Sequence, residues 1–152
     1  MIQRIQTVYL LIVAALTAAM LFMPLAVIQA GDTIFTLDAS GLSTGTPVEL
    51  VTPMWALMAI ASIITLIAFV AIFLYKKRIL QIRLCIFNSL LLIGFYCLLA
   101  YYVWSGPGQA DLFHFSPRIA LGFPLVSLIL NYLAIRNIGA DEALVRSLER
   151  LR

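Results

Sequence analysis

The sequence is poor in charge and poorer still in the residues that carry redox, metal and acid–base chemistry. Its 152 residues include seven acids, ten Lys or Arg, one His and two Cys. Cys85 and Cys97 fall in one apolar stretch. On a helix their spacing corresponds to roughly 18 Å at ~1.5 Å per residue, too far for a disulfide. There is no C-x-x-C, so dithiol exchange lacks its reactive pair, and both thiols read as small apolar packing residues. Asp111 and His114 form the one acid/His pairing, which is too few ligands for a metal site. The chain contains no G-x-S-x-G, H-E-x-x-H or phosphate loop. No cofactor and no enzymatic reaction are expected.

What is abundant is hydrocarbon. Hydrophobic residues make up 63% of the chain and charged residues 11%, and the mean hydropathy is +1.05. A soluble domain is about 45–50% apolar and about 25% charged. A chain this short cannot hide such an excess in one water-soluble core. Lipid is the natural solvent for it.

Four segments are long and apolar enough to cross a bilayer, which takes ~20 residues. They run over about residues 8–28, 54–75, 84–104 and 119–135. The first is longer than the ~7–15-residue apolar core of a secretory signal and reads as an uncleaved helix. Pro24 and Pro124 fall inside the first and fourth segments and predict kinks. Ser116 and Pro117 read as the cap and first turn of the fourth.

Charge placement orients the spans. Arg4, Lys76, Lys77, Arg78, Arg83, Arg136, Arg146, Arg150 and Arg152 all fall on one side of such a fold, and Arg118 alone on the other. Basic residues in short loops stay cytoplasmic, so both termini are expected inside. Lys76, Lys77, Arg78, Arg83 and Arg136 are the topology anchors. The basic pI near 9.1 therefore reads as membrane orientation rather than nucleic-acid binding. Aromatic residues gather at the borders, with Trp55, Tyr101, Tyr102, Trp104, Phe113 and Phe115 on one side and Tyr9, Phe73, Tyr75 and Tyr132 on the other. Such belts anchor spans at the interfaces.

The stretches between the spans are brief. Residues 76–83 predict a tight helical hairpin. Thr33–Leu37 alternates polar and apolar residues ahead of Asp38-Ala-Ser-Gly41, which allows a small extracytoplasmic β-hairpin with residues near 48–51. Asn137-Ile-Gly139 reads as a helix stop, after which Asp141 caps a separate tail helix over 141–152. Leu144, Leu148 and Leu151 form one stripe of that helix, and Arg146 and Arg150 fall mostly elsewhere. An amphipathic helix lying on the inner surface is expected, with docking to a cytoplasmic partner as the alternative.

Within the spans, polar residues are scarce. Asn88 and Asn131 each lie five residues in from a basic edge, at Arg83 and Arg136. Both should sit roughly 7–8 Å deep. An amide in hydrocarbon seeks a partner across helices, so the two are expected to meet or to bond neighbouring helices. They read as structural glue, the alternative being a polar pocket open to the cytoplasm. Ala14, Ala15, Ala18 and Ala19 on the first span, and Ala61, Thr65 and Ala68 on the second, mark faces where helices can approach closely. No acidic or basic residue lies mid-span, which disfavours ion-coupled transport.

Three motifs carry a resemblance: Met1-Ile-Gln-Arg-Ile-Gln-Thr-Val-Tyr-Leu10, Tyr75-Lys-Lys-Arg-Ile-Leu-Gln-Ile-Arg-Leu-Cys85 and Asp141-Glu-Ala-Leu-Val-Arg-Ser-Leu-Glu-Arg-Leu-Arg152. With them the whole chain resembles a family of small bacterial four-helix membrane proteins of unknown function. That resemblance implies a multi-pass protein of the bacterial inner membrane and supplies no reaction. The expectation is an all-α, single-domain four-helix transmembrane bundle. Its expected role is a non-enzymatic accessory or assembly subunit, in contact with the lipid bilayer and with other membrane proteins or further copies of itself. The alternative is a passive binder or conduit for a lipid or small apolar molecule.

Overall fold

The computed structural model describes residues 2–30, 32–44, 49–105 and 113–150. Four helices dominate: α1 (Ile2–Phe22), α2 (Trp55–Phe73), α3 (Arg78–Ser105) and α4 (Phe123–Arg150). All four are long and apolar enough to cross a membrane. They pack in a ring in which α1 touches α2 and α4, and α3 completes the circle between α2 and α4. Each helix buries one stripe. On α2 it is Leu57, Ala61, Ile64, Ala68 and Ala71; on α3 it is Gln81, Cys85, Asn88, Leu92, Phe95 and Leu99. The three- and four-residue steps are those of one helix face. The opposite faces are equally apolar, with Ile63, Leu66, Phe69, Leu90 and Ile93 exposed. Such an outside is unfavourable in water and suits hydrocarbon.

The first helix starts and ends about six residues earlier than the hydropathy pattern suggests. Helix α1 stops at Phe22, and Pro24 lies beyond it rather than kinking it. A residue preceding proline is pushed out of helical geometry, so the chain leaves the helix at Met23. The β-branched Val27 and Ile28 then continue as a strand, β1 (Ala26–Ala30). A short apolar run does not by itself distinguish buried strand from helix.

The expected hairpin of Thr33–Leu37 with residues near 48–51 does not form: a strand at Gly41–Thr44 lies between the two segments and pairs with both, within a five-stranded antiparallel sheet of order β4-β3-β2-β1-β5. The sheet comprises β1, β2 (Thr33–Leu37), β3 (Gly41–Thr44), β4 (Glu49–Pro53) and β5 (Phe113–Pro117). Strand β5 pairs with β1 in register Ile28 to Phe115. Ser116 and Pro117 therefore belong to the sheet and do not cap the fourth helix. Arg118 N–H donates to Leu25 O at 3.0 Å, and one 3₁₀ turn, Ile119–Gly122, leads into α4. Pro124 occupies the second position of α4, where the missing N–H has no intrahelical acceptor to lose and no kink results.

The sheet closes one end of the bundle. Leu25, Ala26, Ile28, Leu37 and Leu42 join Met20, Met54, Leu57, Phe95 and Leu99 in the larger apolar core. At the other end α2 passes through a 3₁₀ turn, Leu74–Lys76, and α3 starts at once at Arg78. The inter-helix segment expected over 76–83 is mostly helix, because buried Gln81 donates from Nε2 to Ala71 O at 3.0 Å and ties the first turns of α3 to the end of α2.

No separate tail helix forms. Helix α4 runs unbroken through Asn137, Gly139 and Asp141 to Arg150. Glycine permits a helix stop without enforcing one, and here tertiary packing decides: Ile138 is fully buried and Asp141 accepts a hydrogen bond from α1.

Candidate functional site

Polar side chains gather in a buried belt across the bundle and in a basic groove at the turn end. The belt lies between the larger core and a smaller one of Leu10, Ala71, Cys85 and Ala134. It contains Thr17 of α1, Asn88 of α3, and Ser127 and Asn131 of α4, all buried. Thr17 Oγ1 donates to the carbonyls of Val13 and Ala14 of its own helix. Asn131 Nδ2 donates across to Cys85 O at 2.7 Å and to Ser89 Oγ at 2.9 Å. Asn88 is level with it, between those two residues on α3. No hydrogen bond joins the two amides among the described residues; the cross-helix bonds run from Asn131 to α3. Asn88 Oδ1, Asn131 Oδ1 and Ser127 Oγ find no hydrogen-bond partner among the described residues. Buried polar atoms are usually satisfied, so these three oxygens mark where polarity is concentrated inside the bundle.

The grooves lie elsewhere. At the turn end, Lys76, Lys77, Arg78 and Arg83 share a groove of about 670 Å³ with Glu142 and Arg146. Four of the five topology anchors thus meet Arg146 of the expected tail interface; Arg136 stays exposed on α4, apart from that lining. Arg146 Nε and Glu142 Oε1 pair at 3.1 Å, one turn apart. Leu144 and Leu148 are exposed on the last turns of α4. Leu151 and the Arg150 side chain lie outside what is described.

A second groove, about 530 Å³, opens between α1 and α2 and is lined by Ala14, Ala15, Ala18, Ser62, Thr65 and Leu66 among others. The hydroxyls of Ser62 and Thr65 donate to Met58 O and Ala61 O of their own helix, leaving the groove apolar in character. Ala61 and Ala68, by contrast, face the bundle core. A third groove, about 630 Å³, lies at the sheet end among Leu99, Val103, Trp104, Phe115 and Leu121. Its neighbour, about 450 Å³, includes Arg118 and Leu125, and Tyr96 borders both. None of these four grooves is lined by Asn88 or Asn131.

No group of three His, Cys, Asp or Glu side chains able to hold a metal occurs among the described residues. His114 is exposed on β5, and Asp111 lies outside the described residues. Sequence reasoning passed over three tertiary ties: Gln6 to Asp141, Gln81 to Ala71, and Tyr96, whose hydroxyl donates to Leu121 O at 2.7 Å. The signal for the first two was present. Gln6 precedes Leu10 and Gln81 precedes Cys85 by four residues, so each amide continues a buried stripe.

The family model described as "Domain of unknown function (DUF4293)" matches residues 2–151, and the chain belongs to that family. No curated protein and no solved structure matches it.

Proposed function

We propose that this family member is a non-enzymatic subunit of the bacterial inner membrane that packs against the helices of other integral membrane proteins, with both of its termini cytoplasmic. The observation that carries the reading is the groove between α1 and α2. Ala14, Ala15 and Ala18 face Ser62 and Thr65 across it, and small residues are what let a further helix approach closely in lipid. None of the described residues lining the groove is charged, and its hydroxyls are already bonded to their own helix. An apolar transmembrane helix fits it better than a polar ligand does. The test is co-purification in gentle detergent followed by mass spectrometry, comparing the wild type with Ala15→Phe, which fills the groove.

A second reading is favoured by the aromatic groove at the sheet end: passive binding of a lipid or small apolar molecule between Trp104, Phe115 and Leu121. Photo-crosslinking with a diazirine-bearing fatty acid, mapped by peptide mass spectrometry, tests it. Labels confined to that groove support it; labels spread evenly over the outer helix faces remove it.

A further inference from the structure

We infer that the basic groove at the turn end is a binding site for the phosphodiester head group of an anionic phospholipid. One wall is the α2–α3 turn and the first turns of α3, which supply Lys76, Lys77, Arg78 and Arg83; the other is α4, which supplies Arg146. Among the described residues the only acid in the lining is Glu142, and it is engaged by Arg146 at 3.1 Å. Among the described residues, no carboxylate pairs with the other four cations. Like charges crowded in this way repel unless an anion sits among them.

The same lining says which anion. Ile79, Leu80 and Val145 stand beside the cations, each more than a third exposed. A free phosphate has no use for an apolar wall, whereas an amphiphile fills both parts of the groove. Position agrees with chemistry. Helix α4 has 28 residues, roughly 42 Å at ~1.5 Å per residue, against a hydrocarbon layer of about 30 Å. Its last turns therefore stand in the head-group layer, beside the turn that carries Lys76 and Lys77. Tyr75, half-exposed with the Lys76 ammonium 5.9 Å from its ring centroid, marks the same level. Basic pockets between transmembrane helices are the usual seats of anionic head groups.

The site is read independently of any protein partner, so its test can fail without touching the packing role. Native mass spectrometry of the detergent-purified full chain, titrated with dioleoyl phosphatidylglycerol or dioleoyl phosphatidylcholine, measures it. The wild type should retain the anionic lipid preferentially, and added salt should weaken the preference. Lys77→Gln/Arg83→Gln leaves Lys76 and Arg78 to keep the turn basic and should bind phosphatidylglycerol about twentyfold more weakly. Glu142→Gln frees Arg146 and should bind it about fivefold more tightly. Loss of folding cannot mimic a gain, so the opposite signs guard the result. Equal retention of the two lipids, or unchanged binding by both variants, would overturn the assignment. Competition by glycerol 3-phosphate as effective as that by whole lipid would overturn it as well, by making the groove a soluble-phosphate site.

Discussion

Gln6 Nε2 of α1 donates to Asp141 Oδ2 of α4 at 2.6 Å, joining two buried side chains 135 positions apart. This bond explains why α4 does not stop at Gly139. A helix ending there would strand the Gln6 amide in an apolar seam and remove the partner that makes a buried carboxylate tolerable. Gln6→Leu should therefore destabilise the fold by about 1–3 kcal/mol, and Asp141→Leu by a similar amount, because each leaves the other group buried and unpaired. Replacing both should cost less than the sum of the two. Circular dichroism during titration from mild detergent into SDS gives the free energies. Amide hydrogen exchange should show the last turns of α4 opening first in both single variants.

Asn88 and Asn131 are both buried amides, yet they should respond oppositely to the same change. Asn131→Leu gives up two cross-helix hydrogen bonds, a loss of about 1–3 kcal/mol. Asn88→Leu removes a carbonyl oxygen that finds no partner among the described residues and should be neutral or stabilising by up to about 2 kcal/mol. The same SDS titration decides. A stable Asn88→Leu protein that has lost its cellular phenotype would turn the belt from glue into a functional pocket.

Gly41 is the one described residue at positive φ, 152°. It closes the turn in which Gly41 N–H donates to Asp38 O and Asp38 N–H to Gly41 O. A side chain is strained in that region of backbone space, so Gly41→Ala should cost about 1–3 kcal/mol. The loss should be confined to the sheet end: exchange protection should fall in β2 and β3 and persist in the belt.

Orientation follows from where the cations lie. An alkaline phosphatase fusion after Lys77 should be inactive and one after Ser105 active, since phosphatase folds only outside the cytoplasm. The reverse pattern would invert the topology and place the basic groove on the outer leaflet.

How far the sequence could be read depended on which physical signal was in play. Long apolar runs and the loss of charge within them identified four spans, because hydrophobic length is set by bilayer thickness. Boundaries were harder. Ala26–Ala30 is as apolar as the helix before it, and only Pro24 marks the change to strand. The β1–β5 pairing joins residues more than eighty positions apart, a contact no local pattern reveals. Asn137 and Gly139 carried a local stop signal that the Gln6–Asp141 contact overrode. At the candidate site, the cluster Lys76–Arg83 was plain as charge, but its union with Arg146 required the unbroken α4. The groove between α1 and α2 was half legible: the alanines were visible as small-residue pairs, while whether they faced the bundle or the outside was decided only by packing.

Purification of the full chain from its native membrane in a gentle detergent, with quantitative mass spectrometry of what stays bound, tests the packing role most directly. The wild type should carry a stoichiometric integral-membrane partner, Ala15→Phe should lose it, and Ile129→Phe, on an exposed face of α4, should keep it. A strictly monomeric wild type, or a partner retained equally by Ala15→Phe, would contradict that role.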